Sequence, residues 1–334
     1  MCAGLLVLWV HFSRKGWAAT PWVRRPAASL LLLLSLLSLA VLAGEVYYRF
    51  IYEGSDTFAD TKIGKRWSER HFHRSPAGFR DNVEYVDALQ PGRRRVTFVG
   101  DSFAAGYGVN NVEDRFANRL RHLHPDWEIH VLARPGDNTG GELGSLSDCL
   151  DKGYQLDQVV LVYVLNDIED LMPELTEVYV RIVGKIGHPG WLRRNSFLFE
   201  TLYNRLSLLL DPSLWGFGEM TLKAYRSPVW EQQKQRLKAM RDLVQAHGGR
   251  LCVVTFPNPG DLGPTYEFQS VHGQLDRCWH ELNVPHLDLL PVFRNLPARK
   301  IRANHLDEHP NAYAHRLAAE ALDPFLRQQL ATKP

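Results

Sequence analysis

Gly100-Asp101-Ser102 and, far downstream, Asp307-Glu308-His309-Pro310 bring together the residue types that nucleophilic catalysis needs. A serine hydroxyl attacks poorly unless a base takes its proton and hydrogen-bond donors receive the charge that develops on the attacked carbonyl oxygen. His309 is the candidate base. Asp307 can orient its imidazole and support the positive charge that forms there. Donors can come from two further loops: the backbone N–H of Gly136 in Ala133-Arg134-Pro135-Gly136-Asp137-Asn138, and the side-chain amide of Asn166 in Tyr163-Val164-Leu165-Asn166-Asp167. The chemistry these residues would do is acyl transfer through Ser102, which needs neither a metal nor an organic cofactor.

Each piece also has a plainer reading. Ser102 could cap a helix, and a loop glycine or an asparagine after a strand is ordinary turn chemistry. His305, Asp307 and His309 alternate along the chain, which in an extended segment would set three metal ligands on one face. Asp307 and His309 could instead help to cap the last helix. The catalytic reading gains from order, because the four segments follow the first, second, third and fifth apolar runs of the chain.

Those runs, Val96–Val99, Ile129–Ala133, Val159–Val164, Leu251–Phe256 and His286–Leu289, are short, rich in β-branched residues and separated by helical patterns. Their alternation predicts an α/β domain: about five parallel strands with helices on both faces, a three-layer α/β/α arrangement. In such a sheet ligands bind at the carboxyl edge, where Ser102 would lie. Trp230, Leu237, Met240, Leu243 and Val244 recur at helical spacing before His247-Gly248-Gly249. Leu317, Ala321, Leu322 and Phe325 form a second stripe near the C-terminus. The connection at about 168–228 is long and aromatic, with Trp191, Phe197, Phe199, Trp215 and Tyr225 among its residues. A lid, a binding surface, a subdomain and a packed helical excursion all fit it.

Lys plus Arg number 39 against 37 Asp plus Glu, which offers no electrostatic case for nucleic acid, and Arg93-Arg94-Arg95 reads as a solvated face. The sharpest compositional break is Pro26–Gly44, uncharged and dominated by leucine, about 28 Å long as a helix and close to a bilayer core. Arg14, Lys15, Arg24 and Arg25 precede it. The expected organisation is a cytoplasmic segment at 1–25, a transmembrane anchor at 26–44, a neck and lead-in at 45–90, and a catalytic domain at 91–330 outside the membrane. Cleavage after Ala43 is the alternative. Cys2 would lie on the cytoplasmic side, Cys252 sits within a strand, and Cys149 and Cys278 remain as a possible disulfide. Nothing here fixes the oligomeric state.

Taken together, Gly100-Asp101-Ser102 with Gly106 and Gly108, then Gly136, Asn166-Asp167, and Asp307-x-His309-Pro310, resemble the sequence blocks of the GDSL-type esterases of the SGNH hydrolase superfamily. The resemblance covers roughly residues 75–328 and implies a flavodoxin-like sheet. It also implies that Ser102 is the nucleophile and adds the Ser102 backbone N–H to Gly136 and Asn166 as the oxyanion hole. Gly78-Phe79-Arg80-Asp81 and Asn195-Ser196-Phe197-Leu198 resemble segments of membrane-anchored bacterial members. Val164 stands where many members have glycine, and Asp307 precedes His309 by two residues where three is commoner. The expected location outside the membrane and the aromatic insertion favour hydrolysis of an O-acyl group, such as acetyl, on an envelope carbohydrate; acyl transfer to a sugar, lysophospholipase action on a lipid and a silent glycan-binding module are the alternatives.

Overall fold

The computed structural model describes residues 21–57, 61–178, 180, 189–210, 217–263 and 265–331. The first twenty residues of the expected cytoplasmic segment, with Cys2, Arg14 and Lys15, lie outside them, as does Trp215. The chain divides into two units, Met1–Glu53 with His188–Leu210, and Gly54–Gly187 with Asp211–Pro334.

The larger unit is built on five parallel strands, β1 (Arg94–Gly100), β2 (Trp127–Ala133), β3 (Gln158–Val164), β4 (Arg250–Phe256) and β5 (His286–Asp288), in the order β2-β1-β3-β4-β5. The five apolar runs are these strands. β3 and β4 lack an apolar/polar alternation because both faces are covered, whereas the edge strand β5, His286-Leu287-Asp288, is only partly buried. Val159, Leu161 and Tyr163 enter one core cluster with Leu146, Leu237, Met240 and Leu275, while Val160, Val162 and Val164 enter another with Phe116, Leu120, Leu322 and Leu326. Odd and even residues of one strand thus feed two cores, giving the three-layer α/β/α architecture. The packing variation at Val164 belongs to the second of these clusters.

The expected helices form, with one adjustment. Val229–Ala246 carries the first stripe. In the final helix, Ala312–Ala331, the buried row is His315, Ala318, Ala319, Leu322, Leu326 and Leu330, while Leu317, Ala321 and Phe325 sit at its margin. The stripe read from the sequence is therefore displaced around the helix by about one position, because alanines at 318 and 319 allow a closer approach than bulky residues would.

Residues 45–90, expected as a neck, divide at Glu53. From Gly54 on they join the sheet-bearing unit: α2 (Lys62–His71) buries Ile63 and Trp67, and Phe79, Arg80 and Asp81 are buried too. Arg95 overturns the reading of its triplet as solvated. It is fully buried, paired with Glu128 at 2.8 Å, and donates to the carbonyls of Val86, Asp87, Ala88 and Gln155. Five fixed donors facing a carboxylate and a row of carbonyls make such burial tolerable. Cys149, Cys252 and Cys278 are free thiols, which removes the Cys149–Cys278 disulfide.

The smaller unit begins with α1 (Pro21–Val46), continued by a π-helical turn at Tyr47–Ile51. Pro26–Ile51 has a mean hydropathy of 2.4 and is long and apolar enough to cross a membrane or to serve as a signal sequence. The other part of this unit is a pair of helices from the long insertion, Trp191–Asn195 and Phe197–Leu210. The remainder of the insertion joins the larger unit, where Leu222, Ala224 and Tyr225 of the helix Phe217–Arg226 enter the core.

Candidate active site

β1 lies between β2 and β3, with Gly100 in register with Ala133 on one side and Val162 on the other. The loops after these three strands therefore open at one edge, with Ser102 in the middle, Gly136 on the β2 side and Asn166 on the β3 side. This is the edge at which the strand order reverses, where side chains from separate loops can converge on one ligand.

Ser102 opens a four-residue helix, Ser102–Ala105, whose N-cap is Asp101: Asp101 Oδ1 accepts from the Phe103 N–H at 2.8 Å. The capping role that Ser102 could have taken thus belongs to its neighbour. The Ser102 hydroxyl lies 2.9 Å from His309 Nε2 and 3.2 Å from Asp101 Oδ2.

His309 and Asp307 stand on β7 (Asp307–Pro310), which pairs antiparallel with β6 (Arg302–Asn304). In an extended strand residues two apart share a face, so the two-residue spacing sets both side chains on the same side. Asp307 Oδ1 lies 2.5 Å from His309 Nδ1 and also accepts the His309 N–H at 3.1 Å. Nδ1–H donating to Asp307 leaves Nε2 bare, ready to accept from the Ser102 hydroxyl. The imidazole is held between Phe103, at 5.5 Å between ring centres, and Tyr107, at 4.9 Å.

The plainer readings of this segment fare differently. His305 is in the hairpin turn rather than on β7, and no group of metal-ligating side chains occurs among the described residues. The last helix is capped by Asn311, whose Oδ1 accepts from the Ala314 N–H at 3.0 Å, so Asp307 is not needed there.

Burial opposes the charging of His309, but the Asp307 carboxylate and its hydrogen bond outweigh that and raise the imidazole above its usual range. In return, burial of Asp307 is overcome by the positive charge and hydrogen bond of His309, which hold the carboxyl below its ordinary value. Such a pair keeps the imidazolium stable once the serine proton has moved.

Gly136 has φ +87°, a left-handed conformation that favours glycine, and a Cβ there would meet nothing within 4 Å. The demand at this position is therefore backbone conformation. Asn166 is the second residue of the 3-10 turn Leu165–Leu171, and its side-chain amide has no hydrogen-bond partner among the described residues. Its neighbour Asp167 secures the turn by accepting the Val164 N–H at 2.8 Å.

Two features behind the site carry no clear signal in the sequence. Asp101, Glu142 and Asp167 are all buried; desolvation raises Asp101 to about 6, and burial with mutual repulsion raises Glu142 and Asp167 well above the carboxylate range. Burial thus disfavours the charged form of both Glu142 and Asp167. Arg80 donates to the carbonyls of Gly106, Val109 at 2.6 Å and His71 at 2.8 Å, pinning the chain that follows the serine. Beside it Asp81 pairs with Arg115 at 2.9 Å and Arg121 at 2.8 Å. The Gly78–Asp81 segment is the only trace of this cluster visible in the sequence.

A second carboxylate–imidazole pair serves as a contrast. His272 Nδ1 lies 2.8 Å from Asp288 Oδ1, but its Nε2 meets the hydroxyl of Tyr266 at 2.8 Å rather than a serine. Asp276 and His286 form a third such pair, with His286 Nε2 2.9 Å from the Thr255 hydroxyl, whereas the His309 pair faces the hydroxyl of a serine, Ser102.

No protein-family model and no curated protein matches this chain. Solved structures similar to it include TesA, at 15% identity over 70% of this chain and 99% of that one with a TM-score of 0.45. The psychrotrophic esterase EstA from Pseudoalteromonas sp. has 15% identity over 72% of this chain and 100% of its own, with a TM-score of 0.44. A two-domain esterase (CEX) active on acetylated mannans has 16% identity, covering 72% of this chain and 50% of its own, with a TM-score of 0.39. At these values the case for any activity rests on this chain's own residues.

Proposed function

We propose that the chain is a serine ester hydrolase of the GDSL, SGNH hydrolase type, acting on O-acyl groups, acetyl in the simplest case, of a cell-envelope carbohydrate. The observation that carries this reading is the unbroken series from Asp307 through His309 to Ser102, with contacts of 2.5 and 2.9 Å. His309 takes the Ser102 proton as Oγ bonds to the ester carbonyl carbon. The Ser102 and Gly136 N–H groups and the Asn166 amide receive the oxyanion. When the tetrahedral adduct collapses, the C–O bond to the sugar breaks and His309 returns the proton to the departing hydroxyl. Water, deprotonated by His309, then cleaves acyl-Ser102 and releases the carboxylic acid. The site stands at the outer face of a bacterial inner membrane, anchored by residues 26–44 with the N-terminus in the cytoplasm, a topology supported by the arginines and lysine before the apolar run.

Labelling of the full-length chain with a fluorophosphonate tests the chemistry. The wild type should be labelled and Ser102→Ala should not; equal labelling, or none in the folded wild type, overturns the serine-hydrolase reading. Acetate release from an acetylated polysaccharide, compared with release of fatty acid from a lysophospholipid, then tests the substrate.

A further inference from the structure

The helix Phe197–Leu210, here α7, has its polarity reversed. A helix on a water-soluble surface covers its apolar side and exposes its polar one. In α7, Phe199, Leu202, Leu206, Leu209 and Leu210 are 44–75% exposed, whereas Glu200 and Thr201 are covered at 4 and 5%. Water stabilises no such arrangement, since each exposed leucine forgoes the free energy of burial. Hydrocarbon removes that penalty.

The place where α7 begins indicates what covers it. Glu45, at the end of the apolar helix α1, accepts the N–H groups of Phe197 and Leu198 at 3.1 and 3.0 Å and the Ser196 hydroxyl at 2.7 Å. Arg49 pairs with Glu45, donates to the Asn195 carbonyl at 2.7 Å and lies 5.1 Å from the centre of the Phe197 ring. Gly44 permits the crossing, since a Cβ there would stand 3.0 Å from both methyls of Leu198. The start of α7 is thereby fixed to the level at which α1 leaves its apolar run. Tyr47, Tyr48 and Tyr52 cluster at that same level, as aromatic side chains do at a membrane–water boundary.

Fourteen residues of helix reach about 21 Å, too short to span a bilayer core and suited to lying in its interface. We infer that α7 is a membrane-embedded interfacial helix whose exposed apolar face contacts lipid, so that the chain grips the bilayer at two elements rather than one. The occupant is lipid because the apolar surface starts at the mouth of α1, whose own exposed leucines need the same solvent. The inference rests on the anchoring part of the proposed function and is independent of the ester chemistry.

A photo-crosslinking amino acid placed at Leu206 or Leu209 of the full-length chain, reconstituted in vesicles of phosphatidylethanolamine and phosphatidylglycerol, tests it. Leu34 in α1 and Lys238 in the larger unit serve as references, and an unchanged tryptic pattern shows that each variant is folded. The expected result is lipid adducts at Leu206 and Leu209 in a yield comparable to Leu34 and far above Lys238. Adducts at Leu34 alone overturn the inference and leave the anchor standing. Adducts at Leu206 and Leu209 without Leu34 would overturn the anchor and, with it, the two-element grip. Chain-to-chain adducts at Leu206 would assign the face to a second copy and overturn the inference.

Discussion

At the residue scale, the proposed chemistry depends on one imidazole being neutral and correctly turned. His309 must be deprotonated to accept from Ser102, and its pKa is raised by Asp307, so kcat/KM should climb with pH through an apparent value above 6.5, the ordinary histidine value. Asp307→Asn removes the charge responsible. The acid limb should then move to lower pH while kcat falls by about 10²–10⁴, because the imidazole loses both its orientation and its partner charge. A limb that stays in place would show that a different group titrates. Stability runs the other way: the raised His309 contributes most below its unfolded pKa, and that contribution fades as pH rises through the folded value. Ser102, His309 and Asp307 were legible because their types and order are informative. The cap at Asp101 and the buried Glu142 were not, since an acid's role depends on what buries it.

At the element scale, β7 turns a two-residue spacing into a working pair. It is seated against the chain after the serine: a Cβ at Gly108, where φ is +87°, would lie 2.8 Å from Ala303 Cβ and 3.4 Å from His309 Cβ. Gly108→Ala should therefore cost about 1–3 kcal/mol in backbone strain and crowding, and should lower kcat/KM by displacing the ribbon from Ser102. Thermal melting and ester turnover measured together check this; wild-type values for both would mean that β6 and β7 are not seated there. The central strands were readable because runs buried on both sides leave an apolar signature. The ribbon was not, because Arg302–Pro310 is polar and its extended form comes from pairing with itself and from packing on the turn behind Ser102.

At the scale of the whole molecule, the larger unit is held around a buried ion cluster as well as two apolar cores. Asp81 is fully covered and serves Arg115 and Arg121 together; these interactions and burial compete, and the two arginines win, holding its carboxyl far below the usual range. Asp81→Ala would leave buried guanidinium groups unpaired, and it should destabilise the fold by about 3–5 kcal/mol in a denaturant titration. A loss below 1 kcal/mol would show that solvent reaches the cluster. Sequence by itself determined the strands, the apolar N-terminal helix and the cast of candidate groups, since each is written in local composition or in a residue type with few alternative uses. Tertiary structure decided which of them meet: Asp307 with His309 through strand periodicity, His309 with Ser102 through the convergence of distant loops at one sheet edge, and the reversed face of α7 through its attachment at Glu45. Contacts between residues far apart in the chain depend on strand order and on which faces are covered, and no local pattern encodes either.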